Sequence, residues 1–327
     1  MKVAVTGATG FVGSHLVRRL VSAGHEVRIL RRQTSDTRLI ADLPMTHIIG
    51  DVRDLQSVER LVEGCEVVFH TAALISFSKK DREQIFAINV GGTQHVLEAC
   101  WKSGVRRLVF TSSIAAIGRP THAGEVLDEA TPYNWKPHQV SYSESKHQAE
   151  RLILHAVTQG LDAVIVNPAT IAGPGDIHRH FGHYLFEIQR GNLPFLVSGG
   201  MCVVDVEDVV EGHIAAAERG KSGERYILGG DNVTFKEIAI EIARLVNAPL
   251  PKWTLPTWGI KGLAFFMEAY AHFSGRRPKL TREMAHYAGL CFYFSHEKAK
   301  RELNFNPRSY RESLQRTYEW YNQQGML

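Results

Sequence analysis

A short β-branched run, Lys2-Val3-Ala4-Val5-Thr6, breaks into Gly7-Ala8-Thr9-Gly10-Phe11-Val12-Gly13 and resumes as a helical pattern from His15 to Val21. A strand that turns on glycines directly into a helix restricts the chain to a sheet with helical crossovers. Gly7 permits the tight turn, Gly10 lets the backbone approach a pyrophosphate, and Gly13 lets the helix pack close to the strand. The helix N-terminus then offers unpaired amides and a partial positive charge. The turn is therefore expected to hold a dinucleotide. Its spacing is G-x2-G-x2-G, not the G-x-G-x2-G of the long-chain dehydrogenase fingerprint.

The alternation continues. Further strand-like runs are His25 to Leu30, His47 to Ile49, Val67 to Phe69, Arg107 to Phe110 and Ala163 to Val166. Helical patterns separate them, among them Val58 to Val62, Gln94 to Lys102 and Ser141 to Thr158. This order predicts an α/β protein with a doubly wound parallel sheet of Rossmann type. The functional crevice should lie at the carboxyl ends of its strands, where Gly7, Ala72, Ser113 and Pro168 fall. Residues 1–172 are expected to form the nucleotide-binding domain, with a return segment near 202–219. Residues 173–327, richer in glycine, proline, histidine and aromatics, are expected to form a smaller, mostly helical substrate lobe.

The second strand ends in Arg31-Arg32. No carboxylate stands where one would bind the ribose 2′-hydroxyl of NAD. Guanidinium groups there suit the 2′-phosphate of NADP, through charge-assisted hydrogen bonds. NADP is the expected cofactor. NAD is the alternative, if the arginines form only a solvated strand end.

Tyr142 and Lys146 lie four apart in Ser-Tyr-Ser-Glu-Ser-Lys, so they share one helix face. An ammonium beside a phenol favours the phenolate, and the tyrosine pKa is expected to fall towards neutrality. Such a phenol would serve as acid or base for an alcohol/carbonyl couple.

Together these residues resemble the extended short-chain dehydrogenase/reductase family, of NAD-dependent epimerase/dehydratase type, nearly end to end. Thr6 to Gly13, with Thr9, Phe11 and Val12, looks like its cofactor loop. Asp51 and Val52 resemble its adenine-edge pair, and Thr71-Ala72-Ala73 the strand end beside the nicotinamide ribose. Asn89 in Asn-Val-Gly-Gly-Thr resembles the residue that braces the active site. Thr111-Ser112-Ser113 resembles the strand end that presents a catalytic serine, here Ser113, with Tyr142 and Lys146 completing a triad. Asn167-Pro168-Ala169-Thr170 resembles the segment flanking the nicotinamide. Within the family the chain is similar to dihydroflavonol-reductase-like and hydroxysteroid-type reductases, and to hopanoid-associated sugar-epimerase-like proteins. Many sugar-nucleotide members carry Tyr-Gly after the serine strand, where this chain has Ile117-Gly118.

The resemblance implies an oxidoreductase that moves a hydride between nicotinamide and a carbonyl or secondary alcohol. One alternative is a sugar-nucleotide epimerase or dehydratase with tightly held NAD. Another is a non-catalytic NADP-binding regulator, which would need the phosphate loop but not the triad. The family often dimerises through a four-helix contact, so a homodimer through the helices at 94–102 and 141–158 is expected.

Bulk properties exclude other classes. The net charge of +4 over 327 residues makes no electrostatic case for nucleic acid. Four scattered cysteines, Cys65, Cys100, Cys202 and Cys291, read as reduced thiols. With a strand beginning at Lys2, a cytoplasmic protein without a leader is expected. His178, His180 and His183 lie close together but lack a recognisable ligand spacing, so no metal is expected. The aromatic stretch from Trp258 to Phe273 is too short to span a bilayer and contains Lys261 and Glu268. It is expected to form a helix over the substrate pocket, in preference to a membrane contact.

Overall fold

The structure is a computed structural model that describes residues 1–122, 124–135, 140–193, 195–251, 253–274, 280–285 and 288–327, without the side chains of 272–274. Seven strands build the main sheet: β1 (Lys2–Thr6), β2 (Glu26–Arg31), β3 (Thr46–Ile49), β4 (Val67–His70), β5 (Arg107–Thr111), β6 (Ala163–Pro168) and β7 (Arg225–Leu228). Their order is β7-β6-β5-β4-β1-β2-β3, and every pairing is parallel. The expected doubly wound sheet is therefore present.

Parallel strands buried on both faces must be apolar throughout. In β1, Val3 and Val5 pack on one face with Leu16, Val17 and Leu20 of α1 (Phe11–Ser22). Ala4 faces the opposite layer, with Val58 and Leu61 of α2 (Leu55–Val62) and Val96 of α3 (Gly92–Lys102). The strand period of two thus sorts alternate residues into two cores. On the second face lies α4 (Ser141–Thr158), through Ala149 and Ile153. On the first lies α5 (Val206–Arg219), through Val209 and Val210.

The order of the sheet puts β1 next to the central strand, between β4 and β2. Direction reverses there, which opens a crevice at the carboxyl ends. A smaller sheet stands beside it. Gly200–Asp205 pairs antiparallel with Asp231–Thr234, and parallel with Thr170–Ala172 and Cys291–Phe294. Its helices include Phe235–Leu245, opened by a capping box between Thr234 and Glu237, and Tyr310–Gln323. The chain crosses back after this sheet begins: β7 follows α5 and closes the main sheet next to β6. The pattern through the first half gave no sign of that seventh strand.

The stretch from Trp258 is helical, over Thr257–Ser274, here α6. Only Ile260, Ala264 and Ala271 of its described side chains are buried, and its largest rings point outward. Among the described residues no helix is long and apolar enough to cross a membrane.

Candidate active site

The glycine turn is tight enough to explain each glycine. Gly7 has φ +72°, in the left-handed region. A Cβ on Gly13 would lie 2.1 Å from the Gly7 carbonyl oxygen, and one on Gly7 would lie 2.6 Å from the Ala72 nitrogen. Gly10 donates its amide to the Gly7 carbonyl at 2.9 Å. The helix that follows has no side-chain N-cap, so its first amides are left for a ligand. Backbone donors at a helix N-terminus, with no side chain filling the cradle, fit a pyrophosphate.

Beneath the turn runs a buried polar chain. Thr71 Oγ1 donates to the Thr6 carbonyl at 2.7 Å, and the Ala72 amide to Thr6 Oγ1 at 3.3 Å. Thr6 Oγ1 lies 2.6 Å from His70 Nδ1, and His70 Nε2 lies 3.1 Å from Thr93 Oγ1. Burial, with a smaller effect of the Lys146 charge, lowers His70 to about 3. This histidine is therefore a neutral spacer that ties the glycine turn to α3. Ala73, next along, is exposed at the mouth of the crevice.

At the end of β2, Arg31 Nε donates to His47 Nδ1 at 2.8 Å, and Arg32 is exposed just outside the strand. Asp51 is held by Arg53 through bonds of 3.0 and 2.9 Å. Those bonds first, and the charge of Arg32 last, keep its carboxyl below the usual range. The neighbouring Val52 packs on Gly92, where a Cβ would approach its Cγ2 to 2.9 Å. This edge is rich in guanidinium groups, and its carboxylate is already occupied. That donor set fits an anionic ribose substituent.

The structure brings the three proposed catalytic side chains together. Ser113 follows β5, and its hydroxyl accepts the Ala115 amide at 3.2 Å while lying close enough to the Tyr142 phenol on α4 to favour its ionised form. Lys146, one turn on, donates from Nζ to the Thr111 carbonyl at 2.7 Å and lies 4.4 Å from the centre of the Phe110 ring. The electrostatics differ from the sequence expectation. Both groups are buried. Burial pushes Tyr142 up to about 12, against the opposing pull of the nearby Ser113 hydroxyl. Burial also lowers Lys146 to about 7, with Glu150 pulling it back. Desolvation disfavours both charged forms and outweighs the opposing influences of Ser113 and Glu150, so the phenol remains protonated in the unliganded protein. The neighbouring hydroxyls point elsewhere. Thr111 Oγ1 lies 2.8 Å from His213 Nε2, and Ser112 Oγ is buried without a partner.

Asn89 sits in a π-helical turn, Ala87–Gly91, directly before α3. Such widened turns re-aim side chains at functional sites. Asn89 Oδ1 accepts the Leu74 amide at 2.7 Å, while Nδ2 donates to the Leu74 carbonyl at 3.0 Å and to Ser145 Oγ at 2.9 Å. Its amide group is thus engaged by protein, and it pins the loop after β4 to α4.

Sequence reasoning passed over a cluster behind the triad. Glu150, one further turn along α4, is buried. It accepts from Asn167 Nδ2 at 2.6 Å and from Arg225 at 3.2 Å. Asn167 Nδ2 also donates to the Ser113 carbonyl at 2.9 Å, and its Oδ1 is left without a partner. The i+4 spacing from Lys146 to Glu150 was the available signal. Beyond Asn167, Pro168 ends β6, the Ala169 amide donates to the Leu228 carbonyl at 3.0 Å, and Thr170 opens a strand of the smaller sheet. Phe77 meets the Tyr142 ring edge-on, with centres 6.3 Å apart.

His178 and His180 meet edge to face at 5.9 Å, and Asp176 accepts the backbone amides of His180, Phe181 and Gly182. Among the described residues, no group of three His, Cys, Asp or Glu side chains is placed to hold a metal. All four cysteines are free.

A parallel doubly wound sheet with a glycine-lined helix N-terminus at its switch point defines a dinucleotide-binding α/β enzyme class. Residues 3–229 match the model of the NAD dependent epimerase/dehydratase family. The chain belongs to that family, the extended short-chain dehydrogenase/reductases. A Synechocystis sp. protein provisionally named dihydroflavonol 4-reductase is 36% identical over 99% of this chain and 95% of its own length. Sterol demethylase protein B of Methylococcus capsulatus is 31% identical over all of both chains. The crystal structure of gox2253 superposes with a TM-score of 0.87 at 36% identity, covering 100% of this chain and 99% of that one.

Proposed function

We propose that the protein is an NADP-dependent oxidoreductase that interconverts a carbonyl and a secondary alcohol through Ser113, Tyr142 and Lys146. The gathering of the Ser113 hydroxyl, the buried Tyr142 phenol and the Lys146 ammonium at the carboxyl end of β5 carries this reading. When bound, the nicotinamide dinucleotide supplies or accepts the hydride. The chain's own residues handle the oxygen and its proton. Ser113 donates a hydrogen bond to the substrate oxygen and holds it against the phenol. Tyr142, protonated at neutral pH, gives its proton to that oxygen as the carbonyl is reduced, and takes it back in the reverse direction. Lys146, near the midpoint of its own titration, supplies positive charge one turn away and stabilises the phenolate that remains.

The same reading assigns the cofactor's residues. The backbone of Gly7, Thr9, Gly10, Phe11, Val12 and Gly13 would hold the pyrophosphate. Arg31 and Arg32 would pair with a 2′-phosphate, and Asp51 and Val52 would meet the adenine edge. Thr71, Ala72, Ala73, Thr111, Lys146 and the segment from Asn167 to Thr170 would line the nicotinamide side, with Asn89 bracing it from behind.

A relative named as a dihydroflavonol reductase and another named for sterols, both matched over nearly their whole lengths, support a bulky carbonyl or alcohol substrate. The test is oxidation of added NADPH by a panel of ketones and aldehydes, including steroid and flavonoid ketones. Steady consumption that depends on one of them is expected. The family also contains epimerases, and their reaction returns the cofactor unchanged. Stoichiometric NAD that survives gel filtration, with no carbonyl-dependent turnover, would overturn the reductase assignment. NADPH binding without either behaviour would point to the non-catalytic regulator.

A further inference from the structure

The face of α6 is unlike the rest of the surface. Trp258 is 79% exposed, Phe266 70% and Tyr270 67%, and Trp253 just before the helix is 78% exposed. Phe265 and Leu263 are exposed beside them. Positions 258, 266 and 270 recur at helical spacing, while Ile260 and Ala264 anchor the opposite side to the protein. Monomeric proteins rarely leave such a contiguous apolar surface uncovered without a use for it.

The geometry points to this face as a docking surface for a lipid bilayer, which the protein touches from one side without crossing. Two observations select a bilayer over a second copy of the chain. First, the rings are mainly Trp, Tyr and Phe, the composition of an interfacial helix whose side chains sit at the headgroup boundary. Second, the carboxylate on α6, Glu268, is neutralised by a neighbouring guanidinium, and the exposed charges beside the rings are lysines. Lys261 lies on the helix, and Lys79 and Lys80 are exposed alongside, with the Lys79 charge reaching Glu268 of α6. The Glu268 carboxylate is itself paired with Arg282 at 2.6 Å. A two-fold contact would bring such lysines against their own copies, whereas anionic headgroups attract them.

The face adjoins the candidate site. The Lys79 charge also reaches Glu283, and Glu283 accepts from Ser141 Oγ at 3.4 Å, the residue next to Tyr142. A molecule drawn from the bilayer would therefore arrive beside the triad. Docking itself does not depend on the reductase reading.

The test is sedimentation of the full chain with phosphatidylcholine vesicles, with and without phosphatidylglycerol. The protein is expected to pellet with vesicles, more with the anionic lipid, and less as salt rises. Trp258→Ser with Phe266→Ser should weaken partitioning by about tenfold per ring lost. Lys79→Glu, Lys80→Glu and Lys261→Glu together should remove the preference for anionic lipid, at about fivefold per lysine. Unchanged thermal unfolding would show that the variants fold. Protein that stays in the supernatant overturns the proposal, as does a Trp258/Phe266 variant that pellets like the parent. A concentration-dependent dimer that the same double variant dissociates, without vesicle binding, overturns it in favour of self-association.

Discussion

The carboxyl ends of β4 and β5 and the outer face of α6 handle their side chains in opposite ways. At the strand ends, the polar groups of Thr6, His70, Asn89, Lys146 and Glu150 are each committed to a named protein partner, in a region closed to water. On α6, large apolar rings stand in solvent on a helix anchored by little more than Ile260, Ala264 and Ala271. The contrast separates two kinds of constraint. A buried polar network tolerates few substitutions, because each lost partner strands another group. An outward ring answers only to whatever covers it.

The largest effect should come from chemistry at the buried end. Tyr142→Phe is expected to lower turnover by about 100-fold or more while leaving NADPH affinity nearly intact, as read by steady-state kinetics and fluorescence titration. Full turnover in that variant would remove Tyr142 from its assigned role.

Next is the brace. Asn89→Ala leaves the Leu74 amide and carbonyl and the Ser145 hydroxyl to find new partners. It should cost about 1–3 kcal/mol of stability by denaturant melting, with turnover falling alongside. At the cofactor edge, Arg31→Ala with Arg32→Ala should weaken NADP relative to NAD by about tenfold, the scale of one charge-assisted bond. An unchanged ratio of dissociation constants would reduce those arginines to a solvated strand end.

The pH dependence of the unliganded protein sharpens the same contrast. Lys146 titrates near 7 when folded against an ordinary 10.5, so between those values the unfolded chain binds more protons. Its contribution to stability must therefore rise with pH from about 7 towards 10. Tyr142, raised to about 12, acts in the opposite sense above 10, where the folded state keeps the proton. Lys146→Met should flatten the rise below pH 10, measured by urea midpoints across the range. The smallest effect belongs to the exposed face: Trp258→Ser alone should shift stability by no more than about 0.5 kcal/mol.

What could be read from the sequence follows the same division. The glycine turn declared itself because its three glycines fall within seven residues, directly between a strand pattern and a helix pattern. The helix bearing Tyr142 was legible to its end residues, Ser141–Thr158, because helical periodicity is local. The titration of Tyr142 was not legible. Residue spacing gave the partner charge, but only tertiary packing gives the degree of burial that outweighs it. The cluster of Glu150, Asn167 and Arg225 was missed for a related reason, since its members come from three elements. The outward rings of α6 had an unmistakable composition, but the side they face is decided by the rest of the lobe.

The late arrival of β7 has a consequence for synthesis. Its four residues pair with Ile165–Pro168, along a β6 that is buried from end to end. Until the ribosome has released the chain past Leu228, β6 carries a bare row of amides and carbonyls on an oily strand, the condition that invites pairing with a stranger. A fragment cut after residue 172 would keep the whole glycine turn, Ser113, Tyr142 and Lys146, and should nevertheless be a sticky, unfinished half-barrier rather than a working nucleotide-binding unit.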